Sequence, residues 1–244
     1  MQLATRAVVT AVLAALVAVA GYVGGMPVTI ASALLAVVFA AGWPTLAGLP
    51  FPLGSTLVIG LGGVGAVVAV HVTPDQPYLR YLPVVFASSI ILAFVSELVR
   101  RDGRTRLVES VAGTVTGTLV AVAVAGWVAI GRTPGGEPLV VGGALALAVG
   151  SAVVALPLVA WLGAVVTSVV AAAAGAGAAA VLPDIDVIAG LLLGLAVGIL
   201  VATLHVLFDR LPTLEQRRPA LAAVTLPVTV TGILVYVVGR VLVG

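Results

Sequence analysis

The sequence predicts an all-α fold, a polytopic helical membrane protein with about nine transmembrane helices, on three observations. The chain is 62% hydrophobic and 8% charged over 244 residues, with a mean hydropathy of +1.31, which is more apolar surface than a soluble domain of this length can bury. Uncharged runs of about 17 to 25 residues recur, each long enough to cross the hydrocarbon layer as a helix. Their interiors are continuous Val, Ala, Leu and Gly, unlike the alternating segments of about ten residues that a transmembrane barrel shows.

Orientation follows from Glu97-Leu-Val-Arg-Arg-Asp-Gly-Arg-Thr-Arg-Leu-Val-Glu109, where Arg100, Arg101, Arg104 and Arg106 place four of the eleven arginines within seven residues. The positive-inside bias assigns this loop to the cytoplasm, so an inner N-terminus and an outer C-terminus are expected. The net charge of +2 comes from arginine and reads as a topology signal, not as affinity for nucleic acid.

The first apolar run follows Thr5 and Arg6 and ends in small residues, an outline shared by signal peptides cleaved near Ala18-Val-Ala20. It continues directly into further spans, so it reads as a helix over about 7 to 23. Gly24-Gly-Met-Pro27 makes a turn, and a second helix spans about 27 to 47, broken by Trp43-Pro44 and Pro50-Phe-Pro52. The third, about 53 to 71, contains Gly60, Gly62 and Gly65 in a G-x-G-x-x-G pattern. A dinucleotide-binding unit would need an amphipathic helix and another strand to follow, whereas a polar loop arrives within ten residues of Gly65, so close helix packing is the expected role.

The loop His71-Val-Thr-Pro-Asp-Gln-Pro-Tyr78 leads to a fourth helix, about 80 to 99, and the arginine-rich loop to a fifth, about 108 to 130. The uncharged stretch from Leu139 to Leu182 is too long for one span, and Pro157 divides it into helices over about 139 to 155 and 159 to 181. Leu182-Pro-Asp-Ile-Asp186 forms an outer turn in which Asp184 and Asp186 either cap the next helix or attract cations. The last two helices cover about 187 to 208 and 220 to 242. Eight arginines then lie inside, Arg6 and Arg210 among them, and Arg80, Arg132 and Arg240 lie outside.

The chain forms one transmembrane domain over 1–244, with an internal duplication as one reading of its punctuation. Val17-Ala-Val-Ala-Gly-Tyr-Val23 parallels Val122-Ala-Val-Ala-Gly-Trp-Val128, Gly-Gly-Met-Pro27 parallels Gly-Gly-Glu-Pro138, and Arg101 parallels Arg210. Such a 4+4 parallel repeat would have halves 1–106 and 107–219, with 220–244 as an added helix. The other reading is chance, because Val, Ala and Gly dominate the composition.

The middle of every predicted span lacks an ionisable group, which disfavours a midplane carboxylate carrier or a voltage sensor. The deepest polar side chains are expected to be Ser88, Ser89, Thr114, Thr116, Thr118, Thr167 and Ser168, which either line a solute pathway or bond back to helix carbonyls. Glu97, Glu109, His205 and Asp209 are interfacial charge candidates, with His205 and Asp209 sharing a face at i,i+4. Arg100, Arg101, Arg104 and Arg106 are candidates for anionic lipid headgroups. Gly190, Gly194 and Gly198 form a small-residue ridge suited to packing. With no cysteine and two distant histidines, neither a metal nor a cofactor is expected, and no catalytic spacing stands out.

The passage Leu98-Val-Arg-Arg-Asp-Gly-Arg-Thr-Arg-Leu-Val-Glu-Ser-Val-Ala-Gly-Thr-Val-Thr-Gly117 resembles uncharacterised multi-span, permease-like proteins of high-GC bacteria, over about twenty residues. The resemblance implies a bacterial cytoplasmic membrane and no activity. Phosphatidate cytidylyltransferases are multi-span enzymes of similar size, but their clustered lysine and aspartate signature is absent from this lysine-free chain.

These features favour a permease or transporter for a small or amphipathic solute. A non-catalytic scaffold for envelope assembly and an interfacial lipid-modifying enzyme are the alternatives. The expected partners are the lipid bilayer, an anionic lipid, and another membrane protein or a second copy of the chain.

Overall fold

Val-, Ala- and Leu-rich segments without charge can satisfy their backbone polar groups in hydrocarbon only within themselves, so each becomes a helix. The computed structural model describes residues 3–101, 103, 105–183, 185–208, 214 and 216–242. Its helices are α1 (Leu3–Val23), α2 (Gly25–Leu46), α3 (Pro52–Val72), α4 (Leu82–Val99), α5 (Leu107–Ala123), α6 (Ala125–Gly131), α7 (Glu137–Val153), α8 (Ala160–Val181), α9 (Val187–Phe208) and α10 (Arg217–Leu242). The protein is a polytopic helical membrane protein.

Among the described residues eight helices are long and apolar enough to cross a membrane, counting 107–131 as one, and α7 is a shorter apolar helix of 17 residues. At 1.5 Å per residue α7 reaches about 26 Å, the lower limit for a crossing. The chain leaves helix after Val153 and re-enters it at Ala160, so the break falls around Pro157 as the sequence predicts.

The predicted fifth helix is interrupted at Val124, where Val124 N–H bonds to the Ala121 carbonyl and Trp127 N–H to the Val124 carbonyl, tightening one turn. The close crossing of Gly126 and Gly232 lies just beyond it. A Cβ on Gly126 would sit 2.4 Å from the Gly232 carbonyl carbon.

Short connections make successive helices antiparallel and give the bundle two ends. One carries the start of α1, the 47–51 turn, the arginine-rich loop, the Pro157 break and the start of α10. Arg6, Arg100, Arg101, Arg106, Arg217 and Arg218 belong to this arginine-rich end, and Arg80, Arg132 and Arg240 to the opposite one.

Helix α10, an addition outside the predicted repeat, occupies the middle of the bundle against α1, α2, α5, α6, α7 and α9. Its Thr225, Thr229 and Thr231 are fully buried. Helix α4 packs on α3 and α5 and turns Val84, Ile91, Phe94 and Leu98 outward. The tightest pair is α8 with α9. Cβ atoms on Gly175 and Gly194 would lie 2.2 Å and 2.3 Å from backbone oxygens of the facing helix, so the predicted ridge on α9 is a seam where only small residues fit.

Candidate functional site

Two polar assemblies lie toward the arginine-rich end. The first joins α3, α4 and α5. Glu97, in the last turn of α4, is 3% exposed, and Arg100 is 5% exposed. Arg100 Nη1 donates to Glu97 Oε2 at 2.6 Å, and its Nη2 to the Thr105 carbonyl at 3.2 Å. Ser110 donates to Glu97 Oε1 at 2.5 Å. One turn on, the Thr114 hydroxyl lies 2.7 Å from the Ser110 carbonyl and 2.8 Å from Ser55 Oγ, and Thr118 donates to the Thr114 carbonyl at 2.9 Å. The Arg100 guanidinium also stands over the Phe51 ring, 5.7 Å from its centroid. A carboxylate and a guanidinium removed from water require this kind of full engagement. The assembly fastens α4 and the arginine-rich loop to α5.

This places several predicted residues. Glu97 and Arg100 are buried and paired with each other rather than presented to headgroups. Glu109 is exposed and paired with Arg106, and Arg101 is exposed. Ser89, Thr114 and Thr118 are buried, with Ser89 bonded to the Val85 carbonyl, whereas Ser88 and Thr116 face outward and bond to their own helices. Arg104, Asp184, Asp209 and Arg210 lie outside the described residues. Asp186 caps α9, accepting the Ile188 N–H at 3.0 Å.

The second assembly is a cleft of about 50 Å³ between α1, α7, α9 and α10. Arg6, Thr10, Ser151 and His205 supply its polar lining, and Val201, Leu204, Phe208 and Pro227 much of the rest. Thr10 donates to the Val224 carbonyl of α10 at 3.0 Å, fixing α1 beside the cleft. Pro227, inside α10, has no N–H for the carbonyl of Ala223, which also lines the cleft. Ser151 is 2% exposed, and its hydroxyl has no hydrogen-bond partner.

Comparisons with protein-family models, with curated proteins and with solved structures find no match. The chemistry therefore has to be read from the side chains themselves.

His205 lines the cleft, while Thr167, 1% exposed, lies in the α7–α8 interface with its hydroxyl likewise unpartnered. A Cβ on Gly150 would lie 3.6 Å from the Thr167 methyl carbon, which puts Thr167 next to the turn that carries Ser151. Ser168 bonds to the Ala164 carbonyl and lines an open, largely apolar groove of about 520 Å³ between α8 and α9.

Sequence reasoning passed over Ser151, which sits in an uncharged stretch, and counted Arg6 only as a topology marker. It also passed over Thr10, Ser32, Ser55, Ser110, Thr225, Thr229 and Thr231, all buried, so the deep polar set is larger than predicted. The density of threonine around Pro227 was the available signal.

At the opposite end Arg132 Nη1 lies 2.5 Å and 2.6 Å from the carbonyl oxygens of Val70 and His71, at the C-terminus of α3, and its guanidinium stacks 4.7 Å from the Tyr78 ring centroid. The Thr29 hydroxyl lies 2.9 Å from the Gly25 carbonyl oxygen and 3.2 Å from Nδ1 of His71, tying the end of α3 to the start of α2. This end is a clamp on the α3–α4 loop.

Proposed function

We propose that the protein is a permease-like component of a bacterial cytoplasmic membrane, with the arginine-rich end in the cytoplasm, admitting a small or amphipathic solute through the cleft between α1, α7, α9 and α10. The observation that carries this reading is the unpartnered hydroxyl of Ser151, buried beside a cleft that abuts Pro227 of the central helix. Polar groups at membrane depth ordinarily find partners, and helices interrupted by proline are tolerated where neighbours or a cavity take up the freed backbone groups. The resemblance of residues 98–117 to multi-span proteins of high-GC bacteria supports the bacterial cytoplasmic membrane of this reading and implies no activity.

Two features favour the scaffold reading instead: the Glu97, Ser110 and Thr114 assembly is fully engaged, and Ser89, Thr118 and Ser168 bond back to helix carbonyls. The enzyme reading has less support, since Glu97 and His205 belong to different assemblies.

The absence of cysteine makes the test direct. Ser151→Cys should react with a small impermeant thiol reagent in inside-out vesicles and stay silent in intact cells, while Ala144→Cys, in the dry core, should be silent in both. Flux of a radiolabelled solute into proteoliposomes should then follow. Silence of Ser151→Cys from both sides would close the cleft to solute and move the scaffold reading ahead.

A further inference from the structure

We infer that the turn between α7 and α8, residues 154–161, is a membrane-docking surface that rests in the headgroup–acyl boundary of the leaflet at the arginine-rich end and does not emerge into water. The inference stands whether or not the cleft carries a solute.

The turn carries no side chain that water would hold. From Ala152 to Val166 there is no charged, hydroxyl or amide group, whereas connections between helices ordinarily run through water and are polar. Leu156, Val159 and Trp161 are each more than half exposed, and Leu158 more than a third. The 47–51 turn at the same end is apolar too, but the protein covers it. There Leu49 is buried, and Phe51 lies under the Arg100 guanidinium.

The backbone sets the opposite limit. Helix α8 begins without a side-chain cap, and its ladder starts with Gly163 N–H on the Val159 carbonyl, so the N–H groups of Ala160, Trp161 and Leu162 are left to the surroundings. Hydrocarbon offers them no acceptor, which keeps the turn out of the bilayer core. Water and the ester and phosphate oxygens of the headgroups do offer acceptors. Side chains that avoid water and a backbone that avoids hydrocarbon meet at one depth, the boundary between the two.

Helix length gives the same depth. The 17 residues of α7 start at Glu137 at the opposite end and run out after about 26 Å, a little short of a hydrocarbon layer of about 30 Å. The turn therefore begins where that layer ends.

Lipid, and not a protein partner, is the occupant these surfaces fit. Trp161, Val165 and Val169 form one exposed row along α8 at i, i+4 and i+8, and Trp161 is at once the end of that row and the end of the turn. The lipid-facing surface thus passes into the turn without the polar rim that bounds a protein interface. An indole at that junction sits at the level where tryptophan anchors membrane proteins, and exposed Arg101, Arg217 and Arg218 at the same end meet the headgroups.

The test uses the full chain in nanodiscs of phosphatidylcholine and phosphatidylglycerol. With no native cysteine, one nitroxide label can be placed at a time, and power saturation compares its access to oxygen, which concentrates in hydrocarbon, with its access to a water-soluble nickel chelate. Labels on Leu158→Cys and Val159→Cys should favour oxygen and lie about 5–10 Å below the phosphates. Thr105→Cys, in the arginine-rich loop, should favour nickel. Val165→Cys, about 9 Å further along α8 than Val159, should favour oxygen more strongly than either turn position.

Nickel access at both turn positions equal to that at Thr105→Cys would put the turn in water and overturn the inference. Access to neither reagent would reveal a protein cover, a second copy or another chain, and overturn it as well. Tryptophan fluorescence gives a reading without cysteine. Trp127 is fully buried, so quenching should be stronger by lipid brominated near the headgroup than near the chain end, and should fall in Trp161→Phe. Quenching unchanged by Trp161→Phe would also count against the docked turn.

Discussion

Ser110, in the first turn of α5, donates its hydroxyl hydrogen to Oε1 of Glu97 in the last turn of α4, while Arg100 occupies the other carboxylate oxygen. Both ends of the arginine-rich loop are thereby tied to one buried anion. Removing the anion should release the loop and strand a guanidinium in a poorly solvated place. Glu97→Ala is expected to lower unfolding stability in detergent by about 3–5 kcal/mol, and Ser110→Ala by about 1–3 kcal/mol. The two losses should not add, since both act through one carboxylate. Additive losses would show that the contacts are independent.

The α8–α9 seam predicts a sharp difference between two glycines. A Cβ on Gly194 would lie 2.3 Å from the Ala171 carbonyl oxygen, and backbone cannot step aside as a flexible side chain can. Gly194→Ala should therefore cost about 1–3 kcal/mol, whereas Gly177→Ala, which meets nothing within 4 Å, should leave the unfolding midpoint unchanged or slightly raised. Equal effects at the two positions would remove the packing account of the ridge.

Trp127 is fully buried and donates from Nε1 to the Val228 carbonyl at 2.8 Å, one residue beyond Pro227. The bond braces α10 where its own ladder lacks a donor. Trp127→Phe keeps most of the ring and removes the N–H, and about 1–3 kcal/mol of stability should go with it. A thermal scan of this one variant against the parent chain checks the bracing.

Orientation is testable with the same cysteine-free background. Thr105→Cys should label only in inside-out vesicles and Gln76→Cys only in intact cells. Labelling of both from one side would contradict the antiparallel order of α3, α4 and α5.

Most of the fold was legible because a membrane helix is recorded in composition and length. Loop residues such as Pro157, Gly24 and the arginines mark its ends, and the helix boundaries lie within a few residues of those predicted. Which face turns inward was not legible. A helix apolar all round shows no periodicity that separates lipid from protein, so Ser88 and Ser89 looked alike until packing left one outside and buried the other. Glu97 and Arg100 read as surface charges for a similar reason. Their burial depends on the Phe51 ring and on Ser110, which are far from them in hydropathy and, for Phe51, in sequence.

The position of α10 bears on how the protein is made. The ribosome delivers this helix after the other described helices, yet six of them pack against it. During synthesis α1, α2, α5, α6, α7 and α9 must therefore reach the bilayer around a slot that lipid or a chaperone fills for a time, and the bundle closes in a single late event when 217–242 displaces that occupant.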